Sequence, residues 1–330
     1  MQLIIPFHQS KIRLDKYLAG HVAEISRAQL QNLIKLGAIT VNSKATKASH
    51  LVQPGEVIHI DIPEKKPTDL IAQNLPLQII YEDEYLVIVD KPAGLVVHPA
   101  YGHPDSTLAN ALLFHFKNVS QADAARPGIV HRLDKDTSGL LVVARDERTH
   151  AALAAQFKAK TTHREYLAIV WGAPESKPGT ISSFLTRSTK DRRKIVVSEH
   201  GGKWAVTHYH VEEKFRWHSL LRLRLETGRT HQIRVHLAHL GHPVFGDPAY
   251  EGRKSQIGGL NAHDTQFIAE WLKRFSRQAL HAHTLGFTHP ATGQSLFFRS
   301  ELPADMKELL ESLRRQRDTA PARRPATDNR

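Results

Sequence analysis

The chain has 330 residues, 41% apolar and 24% charged, which suits a globular protein with one large domain and one small one. No window approaches the roughly 18 consecutive apolar residues of a membrane span, the start MQLIIPFHQSK lacks the pattern of a secretion signal, and cysteine is absent. Disulfides and thiolate metal sites are thereby excluded, and the expected location is the cytoplasm, with no membrane partner. The formal net charge of +12 points to a polyanionic partner, nucleic acid first. That charge is grouped, as a phosphate-tracking surface requires: residues 1–60 hold seven Lys/Arg against three Asp/Glu, and further clusters are Arg187–Lys194 and Arg314–Arg330.

A first unit is expected over residues 11–62. Leu14, Leu18, Val22 and Ile25 recur at helical spacing. Ser26 is placed to cap a second helix that carries Leu30, Leu33 and Ile34 and stops at Gly37. Two short strands follow, Ala38–Val41 and Val57–Ile60, the first closed by an Asn42-Ser43 turn. The strings IRLDKYL, SRAQLQNLIKLGAITVN and VQPGEVI resemble the S4 RNA-binding domain, with Ser43 where that motif usually has Gly. The resemblance implies that Arg13, Lys16, Arg27 and Lys35 lie near a helix face that meets RNA phosphates. Read singly, each is equally an ordinary solvated charge.

Residues 63–75 contain Pro and Lys with little periodicity and read as a linker. A second unit is expected over 76–313. Strands are read at 86–89, 140–144 and 164–171, and where Leu221, Leu223 and Leu225 alternate with Arg222 and Arg224. Lys91-Pro92-Ala93-Gly94 turns into Leu95-Val96-Val97. A helix is expected from Asp146, an N-cap candidate, to Lys160, and another from Thr230 with Gly241 past its end. Two short helices are read at Trp271–Phe275 and Met306–Leu313, and residues 314–330 read as a disordered basic tail. Strands outnumber long helices without alternating with them, which favours an α+β class over a doubly wound sheet.

The most informative segment is His131–Arg145, HRLDKDTSGLLVVAR. Charged side chains crowd its start, Asp136-Thr137-Ser138-Gly139 makes a turn, and Leu140–Ala144 reads as a buried strand. Asp134 thus sits on a loop held by a rigid element, a usual place for a reacting group, although an Asp–Arg pair bracing a turn would use the same residues. Four further strings stand in order along the chain: YEDEYLVIVDKPAGLVVHP, REYLAIVWG, GRTHQIRVH and RQALHAHTLGFTHP. With them the segment resembles the signature of the RluA-type pseudouridine synthases, which isomerise uridine within RNA.

The resemblance implies a catalytic domain with a large mixed, mainly antiparallel sheet flanked by helices, beside a small S4-like α/β domain. It implies Asp134 as nucleophile, Arg234 as its pairing cation and Tyr166 stacked in the uracil slot. Ile233 would form an apolar wall, and Arg132 would enter the RNA stack where the nucleotide leaves it. His131 and Thr137 belong to the same substrate-binding motif. The reaction breaks N1–C1′, turns the uracil and joins C5 to C1′, so no cofactor is expected. It requires an ionised carboxylate, a cation to hold it, a proton-transfer group and a slot for a base taken out of its stack.

The wording looks most like the branch acting on large-subunit (23S) ribosomal RNA, with transfer RNA a second target class and a monomer the default state. Two other readings compete, a non-catalytic RNA-binding protein on the same scaffold and a nucleic-acid hydrolase using Asp and His groups. Among the 22 histidines, His208-x-His210, His281-x-His283 and His236, His239 and His242 invite a metal. No HExxH occurs, and metal sites want further ligands and a second shell, so no metal is expected.

Overall fold

The computed structural model describes residues 2–22, 27–61, 70–100, 102–123, 125–175, 178–253 and 260–319. The chain divides into two compact units, Met1–Thr68 and Asp69–Arg330.

The first unit contains β1 (Gln2–Ile4), α1 (Leu14–His21), α2 (Arg27–Lys35), β2 (Ile39–Val41), β3 (Lys44–Ala45) and β4 (Val57–Ile60). Its strands form an antiparallel sheet in the order β1-β4-β2-β3. Leu14 and Leu18 of α1 and Leu30 and Ile34 of α2 join Ile39 and Ile58 of the sheet in one core. Ile25 and the expected cap Ser26 lie outside the described residues.

Asn42 and Ser43 join β2 to β3 with φ of 49° and 61°, the geometry of a type I′ hairpin turn. A left-handed backbone costs an L-residue about 1–2 kcal/mol, whereas glycine loses about 0.4–1 kcal/mol more entropy on folding. Ser43→Gly should therefore stabilise this unit by roughly 0.5 kcal/mol, read as a higher urea midpoint. An unchanged or lower midpoint would show that the serine is not strained.

The second unit opens with β5 (Gln78–Glu82), β6 (Leu86–Lys91), α3 (Leu108–His115), β7 (Ser138–Ala144), α4 (Glu147–Ala159) and β8 (His163–Trp171). It continues through β9 (Gly179–Arg187), β10 (Ile195–Ser198), β11 (Lys203–Lys214), β12 (His218–Leu225) and α5 (Gln232–His239). It closes with α6 (Ala262–Arg274), β13 (Leu280–Thr288), β14 (Ser295–Arg299) and α7 (Ala304–Thr319). Ten strands make one sheet, ordered β10-β9-β11-β12-β8-β13-β7-β6-β5, with β14 also paired to β13. Every pairing is antiparallel except β13 with β7.

The apolar run in β7 is unbroken because both sheet faces are covered there. Leu141 and Val143 face the main core with Val87 and Val89, while Leu140 and Val142 pack with Leu86, Ile88 and Leu153 of α4. Asp146 caps α4 by accepting a hydrogen bond from the Thr149 amide at 2.8 Å. Gly139 meets Ala282 where β7 and β13 pair, with φ +114°. A Cβ at Gly139 would lie 2.2 Å from the Ala282 carbonyl oxygen, so only glycine fits.

Several expectations are corrected. Of the expected linker, 63–69 lies outside the described residues, while 70–75 lies against α3. There Asn110 Nδ2 donates to the Ile71 carbonyl and the Gln73 amide donates to the Asn110 carbonyl. Leu95–Val97 is not a strand. Its carbonyls accept from the first amides of α3, Leu108 on Val96 and Ala109 on Val97. The tail is not disordered from residue 314, because α7 runs on to Thr319, where Arg314 and Arg317 both pair with Glu213. Residues 320–330 lie outside the described residues. Among the described residues no helix is long and apolar enough to cross a membrane.

Burial also fixes the charge state of several histidines. It pushes His131 and His218 down to about 3, and His236 and His281 to about 4. The folded protein keeps these rings neutral while the unfolded chain protonates them below its ordinary histidine pKa, so U binds more protons than N in that window. Stability should therefore fall as pH drops from about 6.5 towards 4, with proton uptake on unfolding. A urea midpoint flat across that range would contradict the burial of these rings.

Candidate active site

The loop carrying Asp134 enters β7 and is fastened from behind. The Thr137 amide donates to the Asp134 carbonyl at 3.1 Å, and the Gly94 amide donates to the Lys135 carbonyl at 2.9 Å. Lys91 is fully buried, and its Nζ donates to the carbonyls of Pro92, Leu95 and Lys135 at 2.8–2.9 Å. Burial pulls its ammonium down to about 7, with Asp136 and Asp134 opposing. Three carbonyl acceptors match the three N–H donors of the charged form. Arg277, paired with Asp305 through two 2.7 Å bonds, donates to the Asp136 carbonyl at 3.3 Å. Three successive carbonyls, of residues 134, 135 and 136, are thus tied down.

Arg234 of α5 reaches this loop across 100 residues of sequence. One NH donates to Asp134 Oδ2 at 3.0 Å, while Nε and the other NH bind both oxygens of Asp247 at 2.6 and 2.9 Å. Asp247 is fully buried, and its Oδ1 also accepts from the amides of Ala249 and Tyr250. Burial alone would lower the guanidinium's hold on its proton, yet Asp247 and then Asp134 raise it above the ordinary arginine value. The Asp134–Arg234–Asp247 trio carries a net charge of −1, so Asp134 is oriented without being fully neutralised. Its side chain is 18% exposed, and its Oδ1 is hydrogen-bonded to no described residue. Tyr250 lies 5.0 Å from the Arg234 guanidinium, and its hydroxyl contacts His231 Nδ1 at 2.7 Å.

Asp134 opens into a cleft of about 490 Å³. His131, Arg132, Thr137, Tyr166, Ile233 and Arg234 line the same cleft, so the residues expected from separate segments are brought together. Seven Lys/Arg and two acids, Asp134 and Glu226, are among its lining residues. Tyr166, on β8, is buried, and that burial raises its phenol, with Arg164 opposing and Asp134 adding. It therefore stays protonated at neutral pH, as a proton donor requires. Arg132 is exposed, whereas Ile233 is buried on α5.

His131 and Thr137 have structural duties as well. His131 Nε2 accepts from the Val142 amide at 3.1 Å, and its ring stacks on Phe157 with centroids 4.5 Å apart. That nitrogen is committed and the ring is neutral, which removes His131 as an acid. Thr137 is buried and accepts from Gln278 Nε2 at 3.2 Å.

In the first unit, Arg13 and Arg27 are joined through Asp15, which is fully buried. Arg13, together with Gln31 and Arg27, holds the Asp15 carboxyl far below the usual range despite its burial. The two guanidiniums are thereby fixed in place yet about half exposed, at 41% and 46%. Lys16 and Lys35 are exposed on the same two helices.

The histidines that invited a metal are otherwise engaged. His208 contacts Thr180 and Glu226, His281 contacts Ser138, His283 contacts the Ser300 carbonyl, and His236 contacts Thr207. Sequence reasoning missed Asp15, Lys91 and Asp247. The available signal for Asp247 was a lone acid within Val244-Phe245-Gly246-Asp247-Pro248, an apolar and glycine-rich stretch where a charge needs a partner.

Comparison with known proteins agrees with this arrangement. Residues 85–239 match the family described as RNA pseudouridylate synthase, and residues 12–58 match the S4 domain. A Bacillus subtilis protein described as uncharacterized RNA pseudouridine synthase YlyB is 44% identical over 93% of this chain and 96% of its own. A Pseudomonas aeruginosa protein named ribosomal large subunit pseudouridine synthase D is 44% identical over 95% of this chain and 96% of its own. The solved structure of human RNA pseudouridylate synthase domain containing 4 superposes with a TM-score of 0.55 at 27% identity, covering 72% of this chain and 93% of that one. These likenesses set aside the hydrolase and the non-catalytic binding protein. The chain belongs to the RNA pseudouridine synthase family and joins its catalytic domain to an S4 RNA-binding domain.

Proposed function

We propose that this enzyme converts specific uridines of 23S ribosomal RNA to pseudouridine by presenting Asp134 to a nucleotide turned out of the RNA stack. One observation carries the reading. A partly exposed carboxylate is held at one oxygen by a buried guanidinium, within a cleft that has a protonated phenol on its wall and a mainly basic lining. Such an anion is oriented before substrate arrives. Attack at C1′, addition at C6 and elimination from the sugar all begin from this same carboxylate. Each route breaks N1–C1′, joins C5 to C1′, and moves one proton from C5 to N1 overall.

Tyr166 is suited to stack on the uracil and to exchange a proton with it, and Ile233 supports the apolar side of the slot. Arg132, exposed beside the cleft, suits the gap left in the RNA, since a planar guanidinium both stacks and pairs with phosphate. Arg13 and Arg27, pinned by Asp15, together with Lys16 and Lys35, suit phosphate contacts by the S4 domain. The ribosomal target rests on relatives such as those of Pseudomonas aeruginosa and Zymomonas mobilis, both named ribosomal large subunit pseudouridine synthase D.

Mapping pseudouridines in cells that lack the protein tests both parts. The expected result is loss of the isomer at a few positions in 23S RNA, restored by the wild-type protein and not by Asp134→Asn. Loss confined to transfer RNA would overturn the target, and restoration by the Asn variant would overturn the role of Asp134.

A further inference from the structure

One buried cation in the cleft has no partner. Arg164, on β8, is only 7% exposed. Its guanidinium lies over the Phe157 ring at 5.4 Å, but its Nε is buried with no acceptor, and it donates to no described residue. Cation–π attraction from Phe157 softens the loss of water without supplying a counter-charge. Neighbouring charges are already committed. Arg234 holds two carboxylates, Glu165 pairs with Arg222, and Glu226 pairs with His208 and Lys160.

Position narrows what could complete the pair. Arg164 stands two residues before Tyr166 on the same strand, hence on the same sheet face. Gly228 is exposed, and a Cβ there would lie 3.0 Å from an Arg164 NH, so the guanidinium reaches the rim of the cleft. A uracil beside Tyr166 is neutral and would leave the charge uncompensated. A phosphodiester supplies the charge together with two oxygens matched to the guanidinium fork.

We infer that Arg164 is a substrate-binding residue that takes a backbone phosphate flanking the turned-out uridine. This rests on the reading of the cleft given above. Its consequence is that the enzyme grips the target nucleotide at both ends, with Asp134 at the sugar and Arg164 at the adjoining phosphate.

The test uses an RNA stem-loop that the wild-type enzyme converts, remade with one neutral methylphosphonate at each linkage around the target uridine. In the wild type, neutralising one flanking linkage should raise KM about ten- to hundred-fold with kcat changed less than about threefold. Arg164→Gln should raise KM on the all-phosphate RNA by a similar factor and be indifferent to that linkage, whereas Arg164→Lys should recover part of the loss. Independent, multiplying effects of the Arg164→Gln change and of every neutral linkage would overturn the assignment. So would a wild type with no sensitive flanking linkage, a result that needs no variant to fold. Should Arg164→Gln misfold, Arg164→Lys carries the same comparison. Absence of pseudouridine from every unmodified RNA tried with the wild type would instead strike the proposed function.

Discussion

Replacing Asp134 with Asn should cut turnover by at least about ten-thousand-fold while leaving RNA affinity within about threefold. The amide keeps the volume and can still contact Arg234, so the loop should hold its shape. What disappears is the negative charge on a group that Arg234 touches at a single oxygen. None of the ties behind the loop use this side chain, since they run through the carbonyls of residues 134, 135 and 136. Release of tritium from RNA labelled at uridine C5, read beside a gel-shift titration, separates the two quantities. Ordinary turnover by the variant would end the case for Asp134 as the reacting group.

Arg234→Ala should do two kinds of damage at once. It loosens Asp134, and it strands Asp247, a fully buried carboxylate with two of its guanidinium bonds removed. Breaking a buried pair from one side costs about 3–5 kcal/mol, which for a unit of this size lowers the melting temperature by roughly 10 °C. Turnover should fall at least about a hundred-fold, as expected when an orienting charge is lost. Pairing Arg234→Met with Asp247→Leu removes both partners and should recover most of the stability without recovering turnover. A parental melting temperature in Arg234→Ala, or turnover regained by the double variant, would show that the trio does not hold Asp134.

The sequence was readable where side-chain period and environment agree. β4 and the strand inside β7 stand out because their apolar residues match a covered sheet, and α4 because Asp146 caps an amphipathic stripe. The helix α3 left no stripe to find. It is buried nearly all round, and its capping box pairs Thr107 with Asn110 in place of the usual Glu or Gln. The hairpins β9–β11 and the β13–β14 pair were legible only as histidines alternating along strands, since much of β9 and β14 faces water.

At the site, Asp134, Tyr166 and Arg234 lie on three elements with no local pattern joining them, and the resemblance to a family supplied the link. Asp247 and Lys91 escaped because a charged residue reads as exposed until the fold shows what encloses it. The C-terminal tail misled for a related reason. Arg314 and Arg317 read as free charge, yet they are anchored on Glu213, about 100 residues earlier.

Of all the strand pairings, only β7 and β13 run in the same direction, registered through Ser138–His281 and Gly139–Ala282. Two stretches 143 residues apart therefore leave the sheet together, one bearing Asp134 and the other Arg277, which clasps the Asp136 carbonyl. Hairpins threaded between them, such as β9–β10–β11, can lengthen, shorten or trade surface residues without moving that junction. Divergence in which RNA a descendant chooses is mechanically insulated from divergence in how it cuts and rejoins the base. A one-residue deletion between His131 and Gly139 would have no such insulation.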